Sequence, residues 1–123
     1  MVIEDEILLL RAIAKKLELS DLNPISCTNG KQALDYLASL PELPDAIWLD
    51  YYLKDMNGLD FMHELKKNKK WSHIPVIVVS NSGSEEKVHS MLALGVKKYL
   101  LKAQYRLDEL ISYIKKFIPN NDI

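Results

Sequence analysis

Four sets of residues in this chain have the types and placement to do chemistry. Glu4, Asp5 and Glu6 follow the apolar run Met1-Val2-Ile3, and Asp50 closes the run Ala46-Ile47-Trp48-Leu49. Ser80 closes Ile74-Pro75-Val76-Ile77-Val78-Val79, and Lys102 follows the run from Val96 to Leu101. Carboxylates brought together repel one another, which raises their pKa values unless a cation intervenes. A hard divalent cation with oxygen ligands relieves that repulsion, and Mg²⁺ commonly takes one or two carboxylates together with waters and phosphate oxygens. Lys102 adds a compact positive charge suited to a phosphate oxygen. Ser80 offers a hydroxyl donor, and Asp50 beside Mg²⁺ is suited to act as the nucleophile of a covalent acyl-phosphate mechanism.

For these groups to meet, the apolar runs must be strands of one sheet. Between them lie helical patterns: Ile7, Leu8, Leu10, Ile13, Ala14 and Leu17 recur at three- and four-residue steps, as do Ala33, Leu34, Leu37 and Leu40. A third helix is predicted from about Gly58 to Lys69, with Leu59, Met62 and Leu65 inward. Ser84-Glu85-Glu86 opens a fourth, Ser84 as its N-cap and the acids in its first turn. Leu107, Leu110, Ile111, Ile114 and Phe117 mark a fifth. Pro24 to Thr28 reads as a second strand, and the continuous β-branched run before Ser80 reads as a strand covered on both faces. Five strand-helix repeats with short connections predict an open, doubly wound α/β sheet of five parallel strands with five helices on both sides. In such sheets a site forms outside the carboxyl ends of the strands. All the polar groups named above stand at such ends.

Length and composition agree with one domain, residues 1–118, followed by a frayed tail at 119–123. The formal net charge of −1 gives no bulk attraction to nucleic acid or to an anionic membrane. No apolar run approaches the ~20 residues needed to span a bilayer. The single cysteine, Cys27, cannot form an internal disulfide and is expected to be a small buried apolar residue. A reducing, cytoplasmic location is the expectation. His63, His73 and His89 lack metal-ligand spacing and are expected at the surface. Trp48 is expected in the core and Trp71 capping a surface turn. The run Lys66-Lys67-Asn68-Lys69-Lys70 reads as a solvated helix end.

The stretches Val2-Ile3-Glu4-Asp5-Glu6, Ile47-Trp48-Leu49-Asp50, Met56-Asn57-Gly58, Val78-Val79-Ser80 and Tyr99-Leu100-Leu101-Lys102 resemble, in order and spacing, the motifs of the response-regulator receiver domain of two-component signalling. The resemblance covers essentially the whole chain. It implies a flavodoxin-like sheet of strand order 2-1-3-4-5 and a phosphoacceptor switch, with only self-phosphorylation and autodephosphorylation as activities. It makes Asp50 the phosphorylation site. Glu4 and Asp5 become the acidic pair for Mg²⁺, joined by Asp50 and the backbone carbonyl of Tyr52. Ser80 becomes the hydroxyl that meets the phosphoryl group, Lys102 its cation, and Tyr99 the aromatic switch on the face formed by helix four, strand five and helix five. The implied partners are a sensor histidine kinase or phosphotransfer protein upstream and a protein target downstream, with no direct nucleic-acid or membrane contact. Whether the chain stands alone or belongs to a longer regulator is left open.

Three positions depart from the family pattern. The acidic pair is Glu-Asp rather than the commoner Asp-Asp. Lys54 stands where proline is frequent, which loosens that loop. Ala103 stands where a cis-proline is usual, and a non-proline cis bond costs ~3–4 kcal/mol, so this peptide is either trans or strained.

Plainer readings stand beside these. Asp50 and Ser80 are also turn and cap residues, the acids at 4–6 suit a helix's first turn, Lys102 suits a solvated strand end, and Tyr99 suits simple packing. A haloacid-dehalogenase-type phosphatase needs a second aspartate where Tyr52 stands. A flavin or nucleotide binder needs a glycine- or hydroxyl-rich first turn, and this one is acidic. A degenerate receiver, binding a partner without phosphorylation, is the remaining alternative.

Overall fold

The computed structural model describes residues 1–119; of the tail expected at 119–123, residues 120–123 lie outside the described region. Strands and helices alternate as β1 (Val2–Ile3), α1 (Ile7–Leu19), β2 (Ser26–Cys27), α2 (Gly30–Ser39), β3 (Ile47–Leu49), α3 (Gly58–Lys67), β4 (Val76–Ser80), α4 (Glu85–Ala93), β5 (Lys98–Leu101) and α5 (Leu107–Lys115). A 3₁₀ turn, Lys102–Gln104, joins β5 to α5. All strands pair in parallel in the order β2-β1-β3-β4-β5, the flavodoxin-like arrangement expected. The chain runs from β1 outward to β2, then crosses back to β3. The strand order therefore reverses between β1 and β3, the place where such sheets bind ligands.

Successive strand residues point to opposite faces, so each central strand feeds two cores. Ile47, Leu49, Val76 and Val78 pack with Ala33 and Leu37 of α2, Phe61, Met62 and Leu65 of α3, and Met91 of α4. Trp48, Ile77 and Val79 pack with Leu10, Ile13 and Leu17 of α1 and Leu110, Ile111 and Ile114 of α5. Both faces of the sheet are thus dry, which explains why β4 is apolar from Val76 to Val79.

Several boundaries and faces differ from expectation for local reasons. β2 stops at Cys27 because the next amide, of Thr28, donates to the Gln32 side chain at 2.7 Å. β4 starts after Pro75, which has no N–H for the ladder. α3 ends at Lys67 because the Asn68 side chain accepts from the Lys70 and Trp71 amides. Asn68 therefore makes the turn that Trp71 was expected to cap, and Trp71 is half-buried against the α2–α3–α4 side of the sheet. Phe61, not Leu59, is the fully buried partner of Met62 and Leu65. Ile7 and Leu8, expected to face inward, are exposed. Cys27 is buried and the three histidines are exposed. Among the described residues no helix is long and apolar enough to cross a membrane.

Candidate functional site

β1 and β3 are neighbours in register, Val2 beside Trp48 and Ile3 beside Leu49. The residues that follow each strand must then lie side by side. The Asp50 amide donates to the Ile3 carbonyl at 3.0 Å and the Glu4 amide to the Cys27 carbonyl at 3.0 Å, so both acids leave the sheet on fixed backbone. One carboxylate oxygen from each of Glu4, Asp5 and Asp50 lies within 4.8 Å of the others. Glu4 is fully buried and Asp50 nearly so, at 0% and 5% exposure. Glu4 also accepts from the Glu6 amide at 3.0 Å, which holds its carboxylate in place.

The electrostatics are unbalanced. Burial, followed by the charge of Glu4, pushes the Asp50 carboxyl up to about 7 against the pull of Lys102. Burial and Glu4 likewise raise Asp5, with Lys54 opposing. Lys102 bonds Glu4 at 2.7 Å and reaches Asp50 at 3.4 Å. Burial works to lower the Lys102 ammonium, but its bond to Glu4 and the charge of Asp50 prevail and raise it. One ammonium facing three carboxylates leaves a net negative, all-oxygen donor set, which is what a hard divalent cation such as Mg²⁺ requires. A cleft of about 340 Å³ lined by Asp5, Ile7, Thr28, Asn29, Lys54 and Asp55 opens beside this cluster.

Ser80 ends β4, next in the sheet to β3. Its side chain is wholly buried, and its Oγ has no hydrogen-bond partner among the described residues. A buried hydroxyl without a partner costs roughly 1–3 kcal/mol. Tyr99 lies in β5, half-buried, its ring 6.3 Å from that of Tyr51 and packed on Gly83, where a Cβ would meet the ring at 2.7 Å. Its hydroxyl donates to the Ser82 carbonyl at 2.7 Å, tying β5 to the loop that follows Ser80. The peptide between Lys102 and Ala103 is trans, as are all described peptides, and the 3₁₀ turn still delivers Lys102 to the carboxylates. Without proline, the loop therefore keeps the lysine's approach.

Tyr52 stands two residues past Asp50; its amide donates to Asp50 Oδ1 at 3.3 Å, and it pairs with Asn57 in an isolated antiparallel bridge. The structure thus brings Glu4, Asp5, Asp50, Ser80 and Lys102 to one edge, with Tyr52 flanking them and Tyr99 bordering the next loop. Two participants were not foreseen. Lys87 of α4 bonds the Tyr52 hydroxyl and lies 4.7 Å and 4.5 Å from the ring centroids of Tyr51 and Tyr52, a double cation–π contact. Asp55 accepts from the Gly30 amide at 3.0 Å and the Lys31 amide at 2.8 Å. Both contacts span 24 residues or more, so no local sequence pattern announces them.

Comparison with known proteins follows the same line. The family profile described as response regulator receiver domain matches residues 1–115. The two-component response regulator ORR12 of rice is 28% identical over 116 residues, covering 93% of this chain and 95% of the relative. Among solved structures, the phosphorylated cyanobacterial phytochrome response regulator RcpA superposes with a TM-score of 0.79 at 26% identity, covering 94% of this chain and 86% of that one. The Mn²⁺-bound form of response regulator Rcp1 does so with a TM-score of 0.78 at 27% identity, covering 94% and 87%. The degenerate-receiver alternative gains nothing from the site, since Asp50, Ser80 and Lys102 are all present and together. The buried carboxylates at the β1–β3 switch point, the lysine bound to them and the family match have one meaning: this chain belongs to the response regulator receiver domains of two-component systems.

Proposed function

We propose that Asp50 accepts a phosphoryl group in a Mg²⁺-dependent reaction and that the resulting charge switches the face formed by α4, β5 and α5. The observation that carries this reading is the cluster of Glu4, Asp5 and Asp50 oxygens within 4.8 Å, with Lys102 bonded into it. RcpA, a relative, has been solved in phosphorylated form, and Rcp1 with Mn²⁺ bound.

The donor is the phosphohistidine of a sensor histidine kinase or phosphotransfer protein. An Asp50 oxygen attacks phosphorus in line, the P–N bond breaks, and the imidazole leaves with the electron pair and takes a proton. Glu4, Asp5, Asp50 and the Tyr52 carbonyl would hold Mg²⁺, whose positive charge would offset the carboxylates and the oxygens of the transferred group. Lys102 meets a second phosphoryl oxygen. Ser80, with its hydroxyl unpaired, turns to donate to a third, and Tyr99 follows into the space vacated. This is a local charge event that biases a two-state element. Hydrolysis of the acyl phosphate resets it, so the chain acts as a switch with self-phosphorylation and autodephosphorylation as its own chemistry. The reading places it in the cytoplasm, with a downstream protein target on the switched face.

The test is intact mass after incubation with acetyl phosphate and Mg²⁺. A single phosphoryl adduct that disappears with chelator and in Asp50→Asn is the expected result. No adduct from acetyl phosphate, together with no response of Trp48 fluorescence to beryllofluoride, would sink the reading.

A further inference from the structure

The segment from Tyr51 to Asn57 links the phosphoacceptor strand to α3 and is closed on itself at its base. The Gly58 amide donates to the Tyr51 carbonyl at 2.6 Å, and Tyr52 is bridged to Asn57. Its outer part, Lys54 to Met56, is anchored elsewhere. Asp55 uses both carboxylate oxygens, taking the Gly30 amide at 3.0 Å and the Lys31 amide at 2.8 Å, the first two of α2. Next to it, the Met56 side chain packs so closely on Gly30 that a Cβ there would collide with it.

These bonds complete the capping of α2 and also do something the cap alone does not. A helix start leaves about four amides unpaired, and α2 already has its own N-cap in Asn29, which takes the Gln32 amide at 2.8 Å. What the Asp55 bonds add is a fixed position for the loop. That loop contains Tyr52, whose amide holds Asp50 Oδ1, and Lys54, whose charge bears on Asp5. Lys54 lacks the ring that fixes a proline's φ, so the loop has no covalent restraint at that point. A carboxylate on two helix N-terminal amides is charge-assisted and favoured by the helix dipole.

We propose that Asp55 is a positioning residue for the metal- and phosphoryl-binding edge: by fastening the Tyr51–Asn57 loop to the N-terminus of α2, it sets the placement of Asp50 and the Tyr52 carbonyl that proline would otherwise stiffen. The inference rests on the proposed phosphoacceptor reading and deepens it.

The experiment measures Mn²⁺ binding directly, by the electron paramagnetic resonance signal of free Mn²⁺, in wild type, Asp55→Ala and Asn29→Ala. Hydrogen exchange at Gly30 and Lys31 is followed in parallel, and each variant is first checked for a cooperative melt. Asp55→Ala should lose protection at those amides and weaken Mn²⁺ about tenfold, the usual cost of removing an outer partner of a metal site. Asn29→Ala removes the ordinary cap of α2 but leaves the loop tie, and should bind Mn²⁺ near the wild-type value. Asp55→Ala binding as wild type, or Asn29→Ala weakened equally, would overturn the inference: the first makes Asp55 only a cap, the second makes α2 stability the cause. A folded wild type that takes no Mn²⁺ would overturn the site reading itself, and the inference with it.

Discussion

At the scale of single residues, the cost of the site lies in Asp50. Its folded-state carboxyl is raised from 3.8 to about 7, so the folded protein keeps this proton longer than the unfolded chain. The linkage has a definite sign. In metal-free buffer the contribution of Asp50 to stability is fully present below about pH 3.8 and is lost as pH rises through about 7. Asp50→Asn removes that loss. In chelator above pH 7 the variant should be more stable than wild type, read as a higher Tm. The difference should shrink as pH falls toward 4, and Mg²⁺ should raise wild type preferentially. Parallel melting curves across that range would count against the burial and Glu4 repulsion described. Ser80 carries a similar cost in a neutral group, its hydroxyl buried without a partner among the described residues.

At the scale of elements, the helices around the site begin on designed stops. α3 opens with a reciprocal capping box, Asn57 accepting from the Asp60 amide at 2.8 Å and Asp60 from the Asn57 amide at 3.4 Å. Asn57→Ala should cost ~1 kcal/mol, read as a lower urea midpoint at unchanged slope. The bridge from Asn57 to Tyr52 is made by backbone, so that variant keeps it and metal affinity should change little. The five-strand, five-helix alternation was readable from apolar spacing, and so were the Ser84 cap and the strand ends. Boundaries were less readable. Thr28, Pro75 and Asn68 each end or start an element through one or two hydrogen bonds made or denied, an event below the resolution of periodicity.

At the scale of the whole molecule, two dry cores clamp one sheet, and α3 sends Phe61, Met62 and Leu65, all fully buried, into one of them. Phe61 is completely buried, while Leu59, which the spacing favoured, is only half-buried. Phe61→Ala should cost ~3–5 kcal/mol, a large fraction of a domain's ~5–15 kcal/mol. Leu8→Ala, on the exposed side of α1, should cost less than about 0.5 kcal/mol. Urea unfolding of both measures the contrast, and comparable costs would mean the assignment of faces is wrong.

By itself the sequence determined the class of fold, the strand-end location of every candidate group and the family resemblance, because alternating runs and short polar motifs are local. It also determined that Glu4, Asp5, Asp50, Ser80 and Lys102 belonged together, since five parallel strand ends open on one edge. Only the tertiary structure decided how they meet: Lys102 seated on Glu4 in preference to Asp50, Ser80 without a partner, and a trans peptide after Lys102. It alone paired Lys87 with Tyr52 and Asp55 with α2. Those contacts join elements far apart in the chain, and their existence depends on how the helices settle on the sheet, a matter of packing that no run of neighbouring residues encodes.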